Sequence, residues 1–378
     1  MFNIVILKNL CIFANMKEKT DSPFILGNYV LNNVNCLSVI ITWVRFPLIF
    51  LIIMLHCYSV QRLEGGHDLY FKFVYPFALW LGETGVPAFF FISGYLFFVS
   101  RKSYIAKLQS RFHSLFIPYI LWNILILLFY VFVYALGYPQ EINGKNIANF
   151  TLIDYLRLFW DRGSYDNGNY VPILCPLWYI RNLIIMSIIS PLLYYIIRYT
   201  RELFLIITAA WWMTTPHNAF IPQTILFFSL GAYFAILDIN PLEVVDKKRW
   251  GVLTLFAVFA IGDILSHVYI GTPINLQIHR ISLIFNISAL LLLGDWCVRH
   301  GYTNKWLPNA AFIVFCVHYP IVVVLRKLCI TKFSDASDIV HIMLYIACVV
   351  ISTVLSLSIY QVLNRYFPKV KNILSGNR

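Results

Sequence analysis

The chain has 378 residues, enough for two average soluble domains, yet 60% of them are hydrophobic and only 12% are charged. Soluble domains carry about 25% charged residues, so these proportions exclude an ordinary soluble enzyme and mark an all-α, polytopic integral membrane protein. The formal net charge of +12 lies between apolar stretches rather than on one basic face, so no nucleic-acid partner is expected.

Residues 1–15 hold short apolar runs interrupted by Lys8 and lack a convincing cleavage site, so they read as a start-site artefact or an interfacial tail. Met16 opens a more ordinary start. The division expected is a cytoplasmic tail at 1–37, a transmembrane domain at 38–366 and a second cytoplasmic tail at 367–378. Ten apolar segments approach the length a helix needs to cross a bilayer: 39–60, 73–99, 115–137, 175–197, 202–215, 221–238, 250–270, 281–299, 309–330 and 339–363. The fifth is short. With the N-terminus inside, the cytoplasmic connections hold about twice as many lysines and arginines as the external ones, which orients both termini toward the cytoplasm. The connection at 139–172 is the one long loop; its stretch TLIDYLRLFW has helical spacing and is expected on the membrane surface.

The first span, WVRFPLIFLIIMLHCYS, carries Arg45 and His56 eleven residues apart, close to three helical turns. Both therefore project from one face, about 16 Å apart along the axis. Ionisable groups inside hydrocarbon are costly and usually face a bundle interior or wet cavity, so this face reads as a site wall. The alternatives are an arginine snorkelling to headgroups and a histidine bonded to a neighbouring helix. In the second span, WLGETGVPAFFFISGYLFF, Gly85, Pro87 and Gly94 interrupt the helix, and Glu83 lies at a depth similar to His56. A carboxylate beside that imidazole would fix its tautomer for general-base work; an interfacial carboxylate in contact with water is the bland reading.

After this span a basic loop holds Arg101, Lys102, Lys107 and Arg111, first a topology signal and also a cluster suited to polyphosphate oxygens. Arg181 sits inside the fourth span and needs a partner. Asp263 and His267 are four apart, hence on one helical face. His318 is a further intramembrane histidine, which taken alone reads as structural. The eight cysteines form no CxxC pair and no metal-ligand spacing, so they read as packing residues and no metal site is expected. No Walker-type glycine loop, HExxH or GxSxG stands in the chain, so any chemistry must come from the spans.

The series Arg45-x10-His56, GVPAFFFISGYLFF, a basic stretch into IPYILW, then PLWYIRNLI and FCVHYP resembles acyltransferase family 3, the bacterial membrane acyltransferases, over roughly residues 39–325. The resemblance implies transfer of an acyl group, most often acetyl from acetyl-CoA, to carbohydrate hydroxyls of cell-surface glycans. The family's essential arginine and histidine map onto Arg45 and His56. Its basic Arg-x-x-Arg pair falls on Arg111-Phe-His-Ser114 or on Lys107 with Arg111, a departure that assigns the donor contact only loosely. Acyl-CoA is then a co-substrate rather than a bound cofactor, the acceptor is a carbohydrate, and the location is the bacterial inner membrane. His56 acts as base or as transient acyl carrier, and the long outer loop serves as an acceptor-side lid or as a plain connector. The competing reading is a transporter or flippase of a glycan or small solute, which gives no reason for a basic loop to bind a nucleotide-type donor.

Overall fold

The computed structural model describes residues 33–58, 68–138, 140–142, 144–163, 169–215 and 220–377, with two short paired strands, β1 (Phe24–Leu26) and β2 (Tyr29–Leu31). The expected reading of residues 1–15 lies outside the described residues. A bilayer offers no water to free backbone groups, so a chain this apolar crosses it as helices. Among the described residues, seven helical stretches are long and apolar enough to do so: Leu37–Cys57, Leu69–Val99, Tyr104–Ala135, Arg249–Tyr269, Pro273–Arg299, Trp306–Lys332 and Asp338–Tyr366. Two bent pairs, Cys175–Ile188 with Ser190–Thr200 and Phe220–Ile236 with Pro241–Lys247, raise the number to nine. The remaining expected segment is the helix Glu202–Thr214 of 13 residues, about 20 Å long against a hydrocarbon core of about 30 Å.

The helices that build the site are α1 (Asn33–Trp43), α2 (Arg45–Cys57), α3 (Asp68–Tyr75) and α4 (Gly85–Val99), followed by α5 (Tyr104–Arg111) and α6 (Ile117–Ala135). The second span is broken between α3 and α4 by a π turn, Pro76–Leu81, and a 3-10 turn, Gly82–Thr84. Two glycines let this irregular segment lie against α2. A Cβ on Gly82 would stand 2.9 Å from Leu55 Cβ, and one on Gly85 would stand 2.6 Å from Ile52 Cγ1. The break thus sits beside the turn of α2 that precedes His56.

Most of the basic stretch expected as a loop is helical, from Tyr104 to Arg111, which corrects that reading, while Arg101 and Lys102 precede the helix. Ser103 accepts a hydrogen bond from the Ala106 N–H and caps α5. Lys107 and Arg111 consequently lie one turn apart on one face, both over the Phe97 ring, at 5.0 and 5.7 Å from its centroid. The outer loop is also structured: β3 (Glu141–Ile142) pairs with β4 (Lys145–Asn146), and α7 (Leu152–Arg157) starts with a Thr151–Asp154 capping box. The Lys145 ammonium and Thr151 donors hold the exposed Asp154 carboxyl well below the usual carboxylate range. Leu152 and Ile153 project outward, 74% and 75% exposed, as expected of a helix resting on a membrane surface.

The fourth span consists of α8 (Trp178–Ile188) and α9 (Ser190–Thr200), bent by 68°. Pro191 supplies no N–H for the Ser187 carbonyl, which instead accepts the Ser190 hydroxyl at 2.9 Å. There follow α10 (Glu202–Thr214), α11 (Phe220–Ile236), α12 (Pro241–Lys247), α13 (Arg249–Leu265), α14 (Pro273–Arg299), α15 (Trp306–Lys332) and α16 (Asp338–Tyr366). The last segment, expected as a tail, forms α17 (Pro368–Ser375) and docks on α6, where the Trp122 indole donates to the Leu374 carbonyl at 3.0 Å. One continuous core joins α1, α2, α4, α8, α11, α15 and α16, and Ile40, Leu48, Phe90, Phe228 and Ile313 are fully buried in it.

Candidate active site

Arg45 begins α2 and Arg111 ends α5, and both line one cavity of about 290 Å³ with Ser93, Ser114, Tyr179 and Phe315. Neither arginine makes a hydrogen bond or ion pair among the described residues. Two half-buried guanidinium groups in one cleft, with no carboxylate beside them, form a receptor for an anionic ligand. Tyr179 and Ser93 hold each other across the cavity wall at 3.2 Å. Sequence reading missed both, although a hydroxyl-bearing residue two positions before Arg181 in PLWYIRNL was a visible signal. Lys107 lines a neighbouring groove of about 400 Å³ with Tyr104, Ser190 and Tyr194. Arg101 and Lys102 are exposed just before α5. The four basic residues thus sit at one end of the bundle, but only Arg111 enters the cavity with Arg45.

Phe315 lies between this cavity and a pair of histidines. Its ring is 6.1 Å from that of His318, which stacks on His56 at 5.5 Å with 29° between planes. Tyr319 closes the other side of His56, edge-on at 5.1 Å. His318 is fully buried, and its Nδ1 lies 3.2 Å from the Val314 carbonyl. A carbonyl only accepts, so that nitrogen carries the proton and Nε2 is left as a lone pair. Nε2 is buried and has no hydrogen-bond partner among the described residues. The helix end that carries His56 is held from α15, where the Arg326 guanidinium donates to the His56 carbonyl at 3.3 Å, a cation placed on a helix C-terminus.

Glu83 does not orient His56 through a hydrogen bond. Its Oε2 lies 3.1 Å from His279 Nε2, and His279 Nδ1 lies 2.9 Å from Asp263 Oδ2. Asp263 also accepts the Tyr75 hydroxyl at 2.7 Å and the Ser282 hydroxyl at 2.6 Å. The expected companion of Asp263, His267, turns back to the Ile264 carbonyl at 2.7 Å. Four residues apart was the right face, but a C-terminal turn gave the imidazole a nearer acceptor. His279 escaped the sequence reading, yet Asn275, His279, Ser282 and Asn286 recur at spacings of four, three and four along α14. All four are buried, so the spacing marks a polar stripe on an apolar helix.

Arg181 finds its partners in backbone carbonyls of the outer loop. Its Nη1 donates to Trp160 O at 2.7 Å and its Nη2 to Tyr170 O at 3.0 Å, with the guanidinium 4.7 Å from the Trp160 ring centroid. It therefore fastens the loop to α8 rather than taking part in the cavity. Arg280 does the same for the end of α10, donating to Met213 O and Thr215 O at 3.0 and 2.8 Å. Among the described residues no group of three or more His, Cys, Asp or Glu side chains is arranged to hold a metal ion.

A many-helix membrane protein with an anion-receiving cleft beside a stacked histidine pair is the class these features define. Residues 39–361 match the family model of the acyltransferase domain of acyltransferase family 3. The chain belongs to that family and is an acyltransferase. It is 24% identical over 324 residues to the succinoglycan biosynthesis protein ExoH of Rhizobium meliloti, covering 79% of this chain and 82% of that protein. No solved structure matches it.

The cleft carries a direct expectation. Arg111→Ala removes one of two guanidinium groups without leaving a carboxylate unpaired. Charge-assisted hydrogen bonds are worth about 1.5–3 kcal/mol, so the variant should bind a phosphate-bearing anion in this cleft about ten- to a hundredfold more weakly with unchanged abundance in the membrane. Titration of the purified variant with acyl-CoA as the anionic probe reads this out; wild-type affinity would remove Arg111 from the anion-binding cleft.

Proposed function

We propose that this protein transfers an acyl group, acetyl in the simplest case, from acyl-CoA to a hydroxyl of a carbohydrate during cell-surface polysaccharide synthesis. It works in the bacterial inner membrane with both termini cytoplasmic. The observation that carries the reading is the pair Arg45 and Arg111, two guanidinium groups lining one cavity without an ion pair among the described residues. The resemblance of the chain to a succinoglycan biosynthesis protein supports a polysaccharide acceptor.

The phosphates of CoA bind Arg111 and Lys107 at the basic mouth, with Arg101 and Lys102 raising the local positive potential. The pantetheine arm runs along the cavity past Arg45. About 16 Å of helix separates Arg45 from His56, a span similar to an extended pantetheine, so the thioester arrives near the histidine pair while the nucleotide stays outside. His56 accepts the proton of the acceptor hydroxyl as its oxygen attacks the thioester carbonyl carbon. The C–S bond then breaks, and the departing CoA thiolate takes the proton from His56. His318, with its Nδ1–H committed to Val314, stacks on the His56 ring and limits how that ring can turn.

Thermal unfolding of the detergent-solubilised protein with acetyl-CoA, free CoA and desulfo-CoA tests the donor class. A ligand of the folded state at a hundred times its dissociation constant adds about 2.7 kcal/mol of stability, so a clear rise in Tm is expected with acetyl-CoA. Folded protein that shows no shift at millimolar acyl-CoA would sink the reading and favour a transporter.

A further inference from the structure

The final helix, α17, follows the last span and begins exposed, yet its far end is buried. Ser375 and Gly376 are both covered, and Leu374 packs against the main core. The helix touches α6, α15 and α16, and the Trp122 indole of α6 holds the Leu374 carbonyl. It stops in a glycine cap closed by two backbone bonds. The Gly376 N–H donates to the Ile373 carbonyl at 3.2 Å, and the Asn377 N–H donates to the Asn372 carbonyl at 2.7 Å. Gly376 takes a φ of +67°, a conformation that strains any residue with a side chain. The cap brings two backbones together. A Cβ on Gly376 would stand 2.5 Å from Ser114 Cα and 2.6 Å from the Ser114 carbonyl oxygen.

Ser114 belongs to the π turn Phe112–Phe116, which joins α5 to α6, and Arg111 is the residue just before that turn. Ser114 and Arg111 line the same cavity, whose lining also includes Pro308, Asn309 and Phe312 of α15. α17 thus braces the turn and touches a second helix of the cavity wall. We propose that α17, through Gly376, is the positioning element of the anion-binding cleft, its cap holding the Phe112–Phe116 turn so that Arg111 faces the cavity beside Arg45. The inference rests on the reading above that this cleft takes the acyl donor. Gly376 touches no ligand and acts through Arg111. A guanidinium presents its donors as a rigid fork, so the backbone beneath it sets the aim. A misplacement of about 1 Å is enough to spoil such a contact.

The test titrates acetyl-CoA into the full-length protein in lipid nanodiscs and follows Tm beside the dissociation constant. Gly376→Ala sets a methyl against the Ser114 backbone and should weaken acetyl-CoA binding about tenfold. Gly301→Ala is the control. Gly301 has a similar φ of +76°, but nothing lies within 4 Å of a Cβ built there, so the variant carries the strain alone and should keep wild-type affinity. The deciding arm places Gly376→Ala in the Arg111→Ala background. A cap that acts through Arg111 adds no further loss there, because the two substitutions remove one interaction. Additive losses, or wild-type affinity in Gly376→Ala, would overturn the proposal and leave the donor reading standing. Should Gly376→Ala fail to fold, Trp122→Phe loosens α17 by removing the bond to Leu374. It should weaken binding in the wild-type background and not in Arg111→Ala; the same change in both backgrounds, or none in either, overturns the proposal. Folded wild-type protein that binds no acetyl-CoA would remove the donor reading and this inference with it.

Discussion

His56→Ala is expected to abolish acyl transfer while the protein reaches the membrane in wild-type amount. The base proposed at His56 would contribute typically 10²–10⁴ in rate. Of its ring neighbours, His318 is held by its Nδ1 bond to Val314 and Tyr319 meets the ring edge-on. The fold should tolerate the change because the hydrogen bond at this position comes from Arg326 to the His56 carbonyl, not to its ring. The variant should still bind acetyl-CoA, since the Arg45 and Arg111 cleft lies on the far side of Phe315. Transfer measured as CoA release, beside donor binding by thermal shift, separates the two steps. Wild-type turnover in His56→Ala would disprove the mechanism. Loss of donor binding along with turnover would make His56 a structural residue.

The spans were legible because a bilayer leaves an apolar chain few choices, and length with hydropathy marks each crossing. The spacing of Arg45 and His56 was legible for the same reason: α2 runs unbroken from one to the other, so helical periodicity holds between them. What escaped the sequence was pairing across elements far apart in the chain. Glu83 meets His279 across 196 residues, and Arg181 meets the carbonyl of Trp160 in a loop rather than a side chain. The sequence left Arg181 in need of a partner and gave no sign of which. Arg181, Arg280 and Arg326 all donate to backbone carbonyls at helix ends or in loops, where peptide groups left over by the helices need donors. A backbone acceptor leaves no residue-type signature. The basic stretch at 101–111 misled for the opposite reason: its charge signalled a loop, while Ser103 was already an N-cap signal for α5.

The largest effect on folding is expected at two glycines where α4 crosses α11. A Cβ built on Gly94 falls 2.0 Å from the Phe228 carbonyl oxygen, and one on Gly231 falls 2.0 Å from the Phe91 carbonyl oxygen and 2.7 Å from the Tyr95 nitrogen. The crossing is reciprocal, and what each methyl would strike is backbone, which has no rotamer to turn aside. Such close approach is what small residues provide between membrane helices, where dispersion contacts replace the hydrophobic effect as the force between helices. Gly94 belongs to the ISG of the aromatic run in α4, so the glycine there answers to packing rather than chemistry. Its neighbour Ser93 shows why the packing matters to the site, since its hydroxyl meets Tyr179 in the wall of the cavity that Arg45 and Arg111 line. Overpacking a tight core costs about 1–3 kcal/mol and occasionally more. Gly94→Ala and Gly231→Ala should each lower Tm and weaken acyl-CoA binding, and Gly94→Leu should prevent recovery of folded protein. Gly251 in α13 is the control. Nothing lies within 4 Å of a Cβ built there, and alanine is the better helix former by about 1 kcal/mol, so Gly251→Ala should leave Tm unchanged or raise it. Unfolding curves of the three alanine variants decide the matter. If Gly94→Ala and Gly251→Ala melt alike, the two helices do not meet backbone to backbone, and the cavity lined by Arg45 and Arg111 needs another explanation for its shape.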